Sequence, residues 1–155
     1  MTMALAGMVF LMLAAGTVVT GTGPLAGAPK IHRYDLPLTA VTQLHADIGW
    51  LLGGLVIAVV LGLRLTGAPP RVTRLGSLLL GLIATQGVIG YIQYFAHLPA
   101  GLVWVHESGS MLIWITALRL AYGTRGRGSL TAATGPASEV PGRAPDRVFP
   151  VAKPR

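Results

Sequence analysis

The chain has 155 residues, 52% of them hydrophobic and only 11% charged, with a mean hydropathy of +0.64 and no cysteine. Soluble domains carry about 25% charged residues, so this is the composition of a membrane protein. The missing cysteines exclude disulfides, iron–sulfur clusters and thiolate ligation. A net charge of +7 raises nucleic acid as a partner, but the distribution of the charge argues against it. Arg64, Arg71 and Arg74 flank one loop, and Arg125, Arg127, Arg143, Arg147, Lys153 and Arg155 lie in the tail. Cytoplasmic segments of membrane proteins carry charge in this way, and the expected partner is a lipid bilayer with an anionic inner leaflet.

A bilayer core of about 30 Å needs about 20 apolar residues per helix. Four stretches qualify, roughly 3–20, 39–65, 75–95 and 102–122. The first also resembles a secretory signal peptide, with LAGAP as a loose cleavage site, but it lacks the basic residues that open such a peptide; it is read as a span. The breaks between spans, GTGPLAGAPKIHRYDLP, TGAPPRVTR and AHLPAG, hold the proline and glycine that end helices. The second connection and the tail hold most of the basic residues, and the third connection has none. Lys30 and Arg33 in the first connection are the exception, with only Asp35 opposing them. The count puts the termini and the second loop in the cytoplasm. From Tyr122 onward Gly, Pro, Ala, Ser and Arg dominate and no apolar period survives, the composition of a segment that cannot bury enough surface to order itself. The expectation is an all-α, multi-pass protein of the plasma membrane. Residues 1–122 form an antiparallel bundle of four transmembrane helices, and 123–155 form a disordered, basic, cytoplasmic tail.

Two histidines carry the chemistry. His45 and His106 each lie near the start of their own span, and ionisable residues inside spans are rare and functional by default. The second and fourth spans run in the same direction. Both histidines therefore lie roughly 8–9 Å below the same surface, at about 1.5 Å per residue. Matched depth on parallel helices suits two axial ligands of one haem iron. Small neighbours leave room for a macrocycle or for close helix packing: Gly49 and Gly53 follow His45 by four and eight residues, and Gly109 and Ser110 follow His106 by three and four. Helical side chains lean toward their N-terminus, which would bring haem propionates to the first external loop, where Lys30 and Arg33 are candidates to pair with them. The competing reading is that each imidazole only hydrogen-bonds a neighbouring helix. A site for a bare metal ion is disfavoured, since no third or fourth ligand shares that depth. His32 and His97 fall in loops.

Gln86, Gly90 and Gln93 are spaced to line one face of the third span. The two amides are candidates to hydrogen-bond a haem edge or the second nitrogen of a ligand histidine, or simply another helix. Asp47 and Glu107 flank the histidines and either support them or reach water. Tyr91, Tyr94, Phe95 and Trp104 gather at one end of spans three and four, as an interfacial aromatic belt or as the wall of a haem pocket.

These residues together resemble the haem A synthases of the respiratory chain, and the actinobacterial type in particular. The likeness lies in VVTGTGP (18–24), PKIHRYDLPLTAVTQLHAD (29–47), TQGVIGYIQYF (85–95) followed by LP (98–99), and LVWVHESGS (102–110) ending in LRL; it covers roughly 9–122. Members of that family have eight spans built as two similar four-helix halves, and this chain resembles the second half. The resemblance implies that His45 and His106 are the axial ligands of a haem b. It also implies that the chain serves the oxidation of a haem O methyl group to a formyl group, giving haem A for terminal oxidases. The first half of such proteins houses the haem O substrate and carries a glutamate and often a cysteine pair. Those features have no counterpart here, so the resemblance implies a truncated half or one that works with a separately encoded partner chain. Three positions depart from the family pattern: Leu25 and Ala28 stand where GPHAGD has histidine and aspartate, and Glu107 follows the ligand histidine where an apolar residue is usual. The alternative function is a single-haem b-type membrane cytochrome that transfers electrons without synthase activity.

Overall fold

The computed structural model describes residues 1–24 and 33–125. They form four helices, α1 (Thr2–Thr22), α2 (Leu38–Leu65), α3 (Pro70–Phe95) and α4 (Ala100–Arg125). Lys30, His32 and the tail from 126 lie outside the described residues. The boundary expected at 122 moves outward, because α4 continues to Arg125.

The turns follow from local chemistry. Thr66 caps α2, its backbone N–H donating to Gly62 O and its hydroxyl to the same carbonyl. Gly67 then takes a left-handed conformation (φ 62°) that costs glycine nothing. Pro69 and Pro70 start α3, where a missing N–H is harmless. The α3–α4 turn is tighter and less comfortable: His97 and Leu98 both adopt positive φ, 61° and 60°, in a region that disfavours a Cβ. Leu98 N donates to Gln93 O at 2.7 Å, which closes the end of α3. In the first linker Tyr34 N donates to Gly21 O, and the Tyr34 ring lies over Gly21 so closely that a methyl there would overlap it.

The helices pack as a closed ring of neighbours, α1 on α2, α2 on α3, α3 on α4 and α4 on α1, so that α2 stands opposite α4 across the bundle. Short connections make the bundle antiparallel. Its two ends differ in charge. Arg64, Arg71, Arg74 and Arg119 are exposed at one end, while Asp35, Asp47 and Glu107 are exposed toward the other, with Arg33. These are called the arginine end and the histidine end.

Burial is equally lopsided. The fully buried apolar side chains are Leu5 and Val9 of α1, Leu52, Val56, Val59 and Val60 of α2, Val72 and Leu79 of α3, and Ile113 and Leu120 of α4, joined by Ala6, Ala117 and Ala121. All of them lie between the middle of the bundle and the arginine end. Gly76 lets α3 approach α2 there, against Val60 and Leu63, and Phe10 meets Trp114 with ring centres 6.2 Å apart. Among the described residues 10–24, 33–51 and 80–112, no large apolar side chain is fully buried.

By length and composition α1, α2 and α3 are apolar enough to cross a membrane. The expectation of four spans is met by these three on that criterion. α4 is as long as α3 but is not among the helices that meet this criterion, since Glu107, Ser108, Ser110, Thr116 and Arg119 dilute it. Its case for crossing rests on packing with the other three.

Candidate functional site

The two histidines meet. His45 is seven residues past the start of α2 and His106 six past the start of α4, so both reach the same level at about 1.5 Å per residue. Because α2 and α4 face each other across the bundle, the imidazoles come together inside it, with ring centres 6.4 Å apart and planes inclined by 69°.

Each imidazole rests on a glycine of the neighbouring helix. A methyl built on Gly16 of α1 would stand 3.3 Å from Cε1 of His45, and one on Gly90 of α3 would stand 3.3 Å from Cε1 of His106. The two hairpins, α1–α2 and α3–α4, thus present matching arrangements: a histidine on the second helix, a glycine on the first. Gly90 falls on the face expected to line the site. Gly16 was not legible as part of it, since it stands in a run of small residues (14–17) with no ionisable neighbour to mark it.

Four buried side-chain atoms near this level have no hydrogen-bond partner: Nδ1 of His45, Nδ1 of His106, Oε1 of Gln86 and Oε1 of Gln93. Buried polar atoms are normally paired, and elsewhere in the bundle they are. The hydroxyls of Thr42 and Thr116 donate to carbonyls one turn back, those of Leu38 and Leu112, the usual solution for threonine inside a helix. Among the described residues, these four are the buried side-chain atoms without a partner. The Gln86 amide packs against Gly109, where any Cβ would collide with it. Gln93 lines a small cavity of about 40 Å³ with Val19, Thr20, Leu98 and Val103.

Other expected participants stand apart. Arg33 is exposed, and its guanidinium donates to Pro24 O at 3.1 Å, so it remains near the histidine end without touching the imidazoles. Asp47 is exposed and accepts a hydrogen bond from Gln43 Nε2 at 2.8 Å, one turn away on the helix surface. Glu107 is exposed as well; both carboxylates face outward rather than supporting a histidine. Gly49 packs on Met12, and Gly53 has open space around it, so the room beside the histidines comes from neighbouring helices rather than from these positions. Tyr91, Tyr94, Phe95 and Trp104 are exposed; they form a belt, joined by a Trp50 Nε1–H donating to Tyr91 Oη at 3.2 Å, and not a pocket wall. His97 is exposed in its turn.

The spacing of the imidazoles fits a shared metal centre. Two rings bound end-on to one ion at about 2.0 Å, with about 1.1 Å from nitrogen to ring centre, stand about 6.2 Å apart. Among the described residues no third histidine or carboxylate joins them. Two axial nitrogens and no equatorial protein ligand are what an iron already held by four porphyrin nitrogens requires. The ring spacing and the glycine beside each imidazole agree with that group.

Compared with protein-family models, curated proteins and solved structures, the chain matches none.

Proposed function

We propose that the chain is a haem b-binding bundle whose four helices all cross the cell membrane, with the arginine end in the cytoplasm. His45 and His106 are the axial ligands. The observation that carries this reading is their meeting at 6.4 Å across the bundle, in the half that lacks a buried apolar core. The positive-inside distribution of arginine supports the orientation.

When bound, haem b supplies an iron that passes one electron at a time between ferrous and ferric states. The protein's own contributions are separable. His45 and His106, on opposite helices, would hold the haem iron. Gly16 and Gly90 let each imidazole sit against a helix backbone without displacement. Gln86 and Gln93 bring amides with free acceptor capacity to the same level, suited to orient a ligand imidazole or a polar edge of the macrocycle. The helices keep water from the rings. Lys30 and Arg33 belong to the linker at the same end and are placed by sequence to balance propionate charge.

By resemblance the reading extends to haem A synthase: this chain would be the haem b half of an oxidoreductase that converts haem O to haem A, working with a partner half that holds haem O. The test is co-expression of the chain with a four-span, glutamate-bearing substrate half, followed by extraction and chromatography of total haem. Haem A formed only when both are present, and lost with His45→Ala, supports the synthase reading. A haem b that is reducible in the chain, with no haem A in any combination, leaves the plain electron-transfer cytochrome in its place.

A further inference from the structure

The two hairpins correspond at more than the histidines. Each imidazole meets a glycine, Gly16 or Gly90, and the side chain four residues before that glycine meets another glycine on the histidine's own helix. Met12 rests on Gly49, four residues after His45, and the Gln86 amide rests on Gly109, three after His106. Three residues after Gly16 and Gly90 stand Val19 and Gln93, which line one small cavity together. The arrangement is shared and the chemistry is not. On α3 an amide stands on either side of the glycine that meets His106. On α1 Met12 and Val19 stand beside the glycine that meets His45. A valine side chain accepts no hydrogen bond, and a thioether only a weak one.

This difference falls on an atom that ligation changes. A histidine that binds a metal through Nε2 carries its proton on Nδ1 and needs an acceptor there. Among the described residues neither Nδ1 has a partner, and on the α3 side of His106 two amide oxygens are equally unpaired, Oε1 of Gln86 and of Gln93. Gln93 is the better placed of the two. A helical side chain covers the turn before its own Cα, so Gln93 covers the turn of α3 that holds Gly90, and His106 the turn of α4 that holds Val103. Gln93 and Val103 line the same cavity of about 40 Å³, which gives the amide room to turn. Gln86 leans the other way, and its amide is held against Gly109.

We propose that Gln93 is the positioning residue of His106: its Oε1 accepts the Nδ1–H that ligation leaves on that ring, while His45 has no such amide. The inference rests on the haem reading and makes the two ligands unequal. His106 is the oriented and more basic ligand, and His45 the one without support.

The test is a redox titration of the full chain, loaded with haem in detergent, together with its ferric EPR spectrum. A hydrogen bond given by Nδ1–H makes the imidazole a stronger donor and favours the ferric state. Gln93→Leu should therefore shift the balance about tenfold toward the reduced state, a rise of about 59 mV for one electron, and should move the low-spin EPR signal. Gln93→Glu keeps an oxygen at the same reach and should stay at or below the wild-type potential. Gln86→Leu should shift the balance by no more than about twofold. Loss of haem from Gln93→Leu with retention in Gln93→Glu would give the same answer through affinity. An unmoved potential in Gln93→Leu, or an equal rise in Gln93→Glu or Gln86→Leu, would overturn this proposal alone. A wild-type chain that binds no haem would overturn the haem reading and this proposal with it.

Discussion

The two halves of this bundle are built on opposite principles. Toward the arginine end, Leu5, Val56, Leu79 and Leu120 interlock in a core closed to solvent. Toward the histidine end the helices enclose imidazoles and amides instead, and leave four of their polar atoms without partners. In a membrane, helices associate through close packing and polar contacts rather than through the hydrophobic effect. The histidine half packs side chains on glycines, at Gly16, Gly90 and Gly109, and among the described residues has no buried apolar core. The lesson is that the apolar core and the buried polar cluster are separated along the helix axis, and under the proposed reading stability and binding are separated with them.

The largest effect should come from the ligands themselves. His45→Ala and His106→Ala are each expected to abolish the low-spin b-type spectrum while leaving the helical content intact; wild-type-like spectra in both would sink the assignment. Next, the packed half should answer in stability alone. Leu120→Ala should lower the stability of the detergent-solubilised chain by about 2–5 kcal/mol, read by thermal melting, with haem stoichiometry unchanged well below the melting temperature. If it also stripped the haem, the separation of roles would fail.

A smaller effect is expected at the glycines. Gly16→Ala and Gly90→Ala each set a methyl at 3.3 Å from an imidazole carbon, closer than ordinary contact, so the ring must shift by a few tenths of an ångström. Haem titration should show affinity lower by about tenfold, or about 1.4 kcal/mol; unaltered titration would mean that the imidazoles are free to move. The smallest effect has the opposite sign. Gln93→Leu removes a buried amide oxygen that has no partner, and such an atom costs about 1–3 kcal/mol. The haem-free chain should therefore melt higher, by about 1 kcal/mol of stability, an outcome peculiar to the open half. A lower melting temperature would show that the amide is satisfied in the haem-free protein.

Helices and ligand candidates were the legible part of the sequence. Apolar stretches bounded by proline and glycine located all four helices to within a few residues, because helix length and turn chemistry are local. The level of His45 and His106 was legible for the same reason, since 1.5 Å per residue converts position into depth. Contacts between helices were not. Gly49 shares a helical face with His45, yet it packs on Met12, while Gly16, twenty-nine residues away, cradles the imidazole. Periodicity assigns a residue to a face but does not name what the face meets. The carboxylates Asp47 and Glu107 flank the histidines in sequence and point away from them in space, because neighbours on a helix surface are three and four residues apart rather than one or two. The aromatics Tyr91, Tyr94, Phe95 and Trp104 read as a belt first and a pocket wall second, and their exposure favours the first. The one-sided core of the arginine end was hidden as well, since the apolar character of a membrane helix does not distinguish lipid-facing from buried positions.

The most direct test of the account is a reduced-minus-oxidised optical spectrum, with a pyridine haemochrome assay, of the chain purified from haem-replete cells. A sharp low-spin b-type signal at one haem per chain is the predicted result. A chain that folds with native helicity and binds no haem would contradict it, and would make the meeting of His45 and His106 a feature of packing alone.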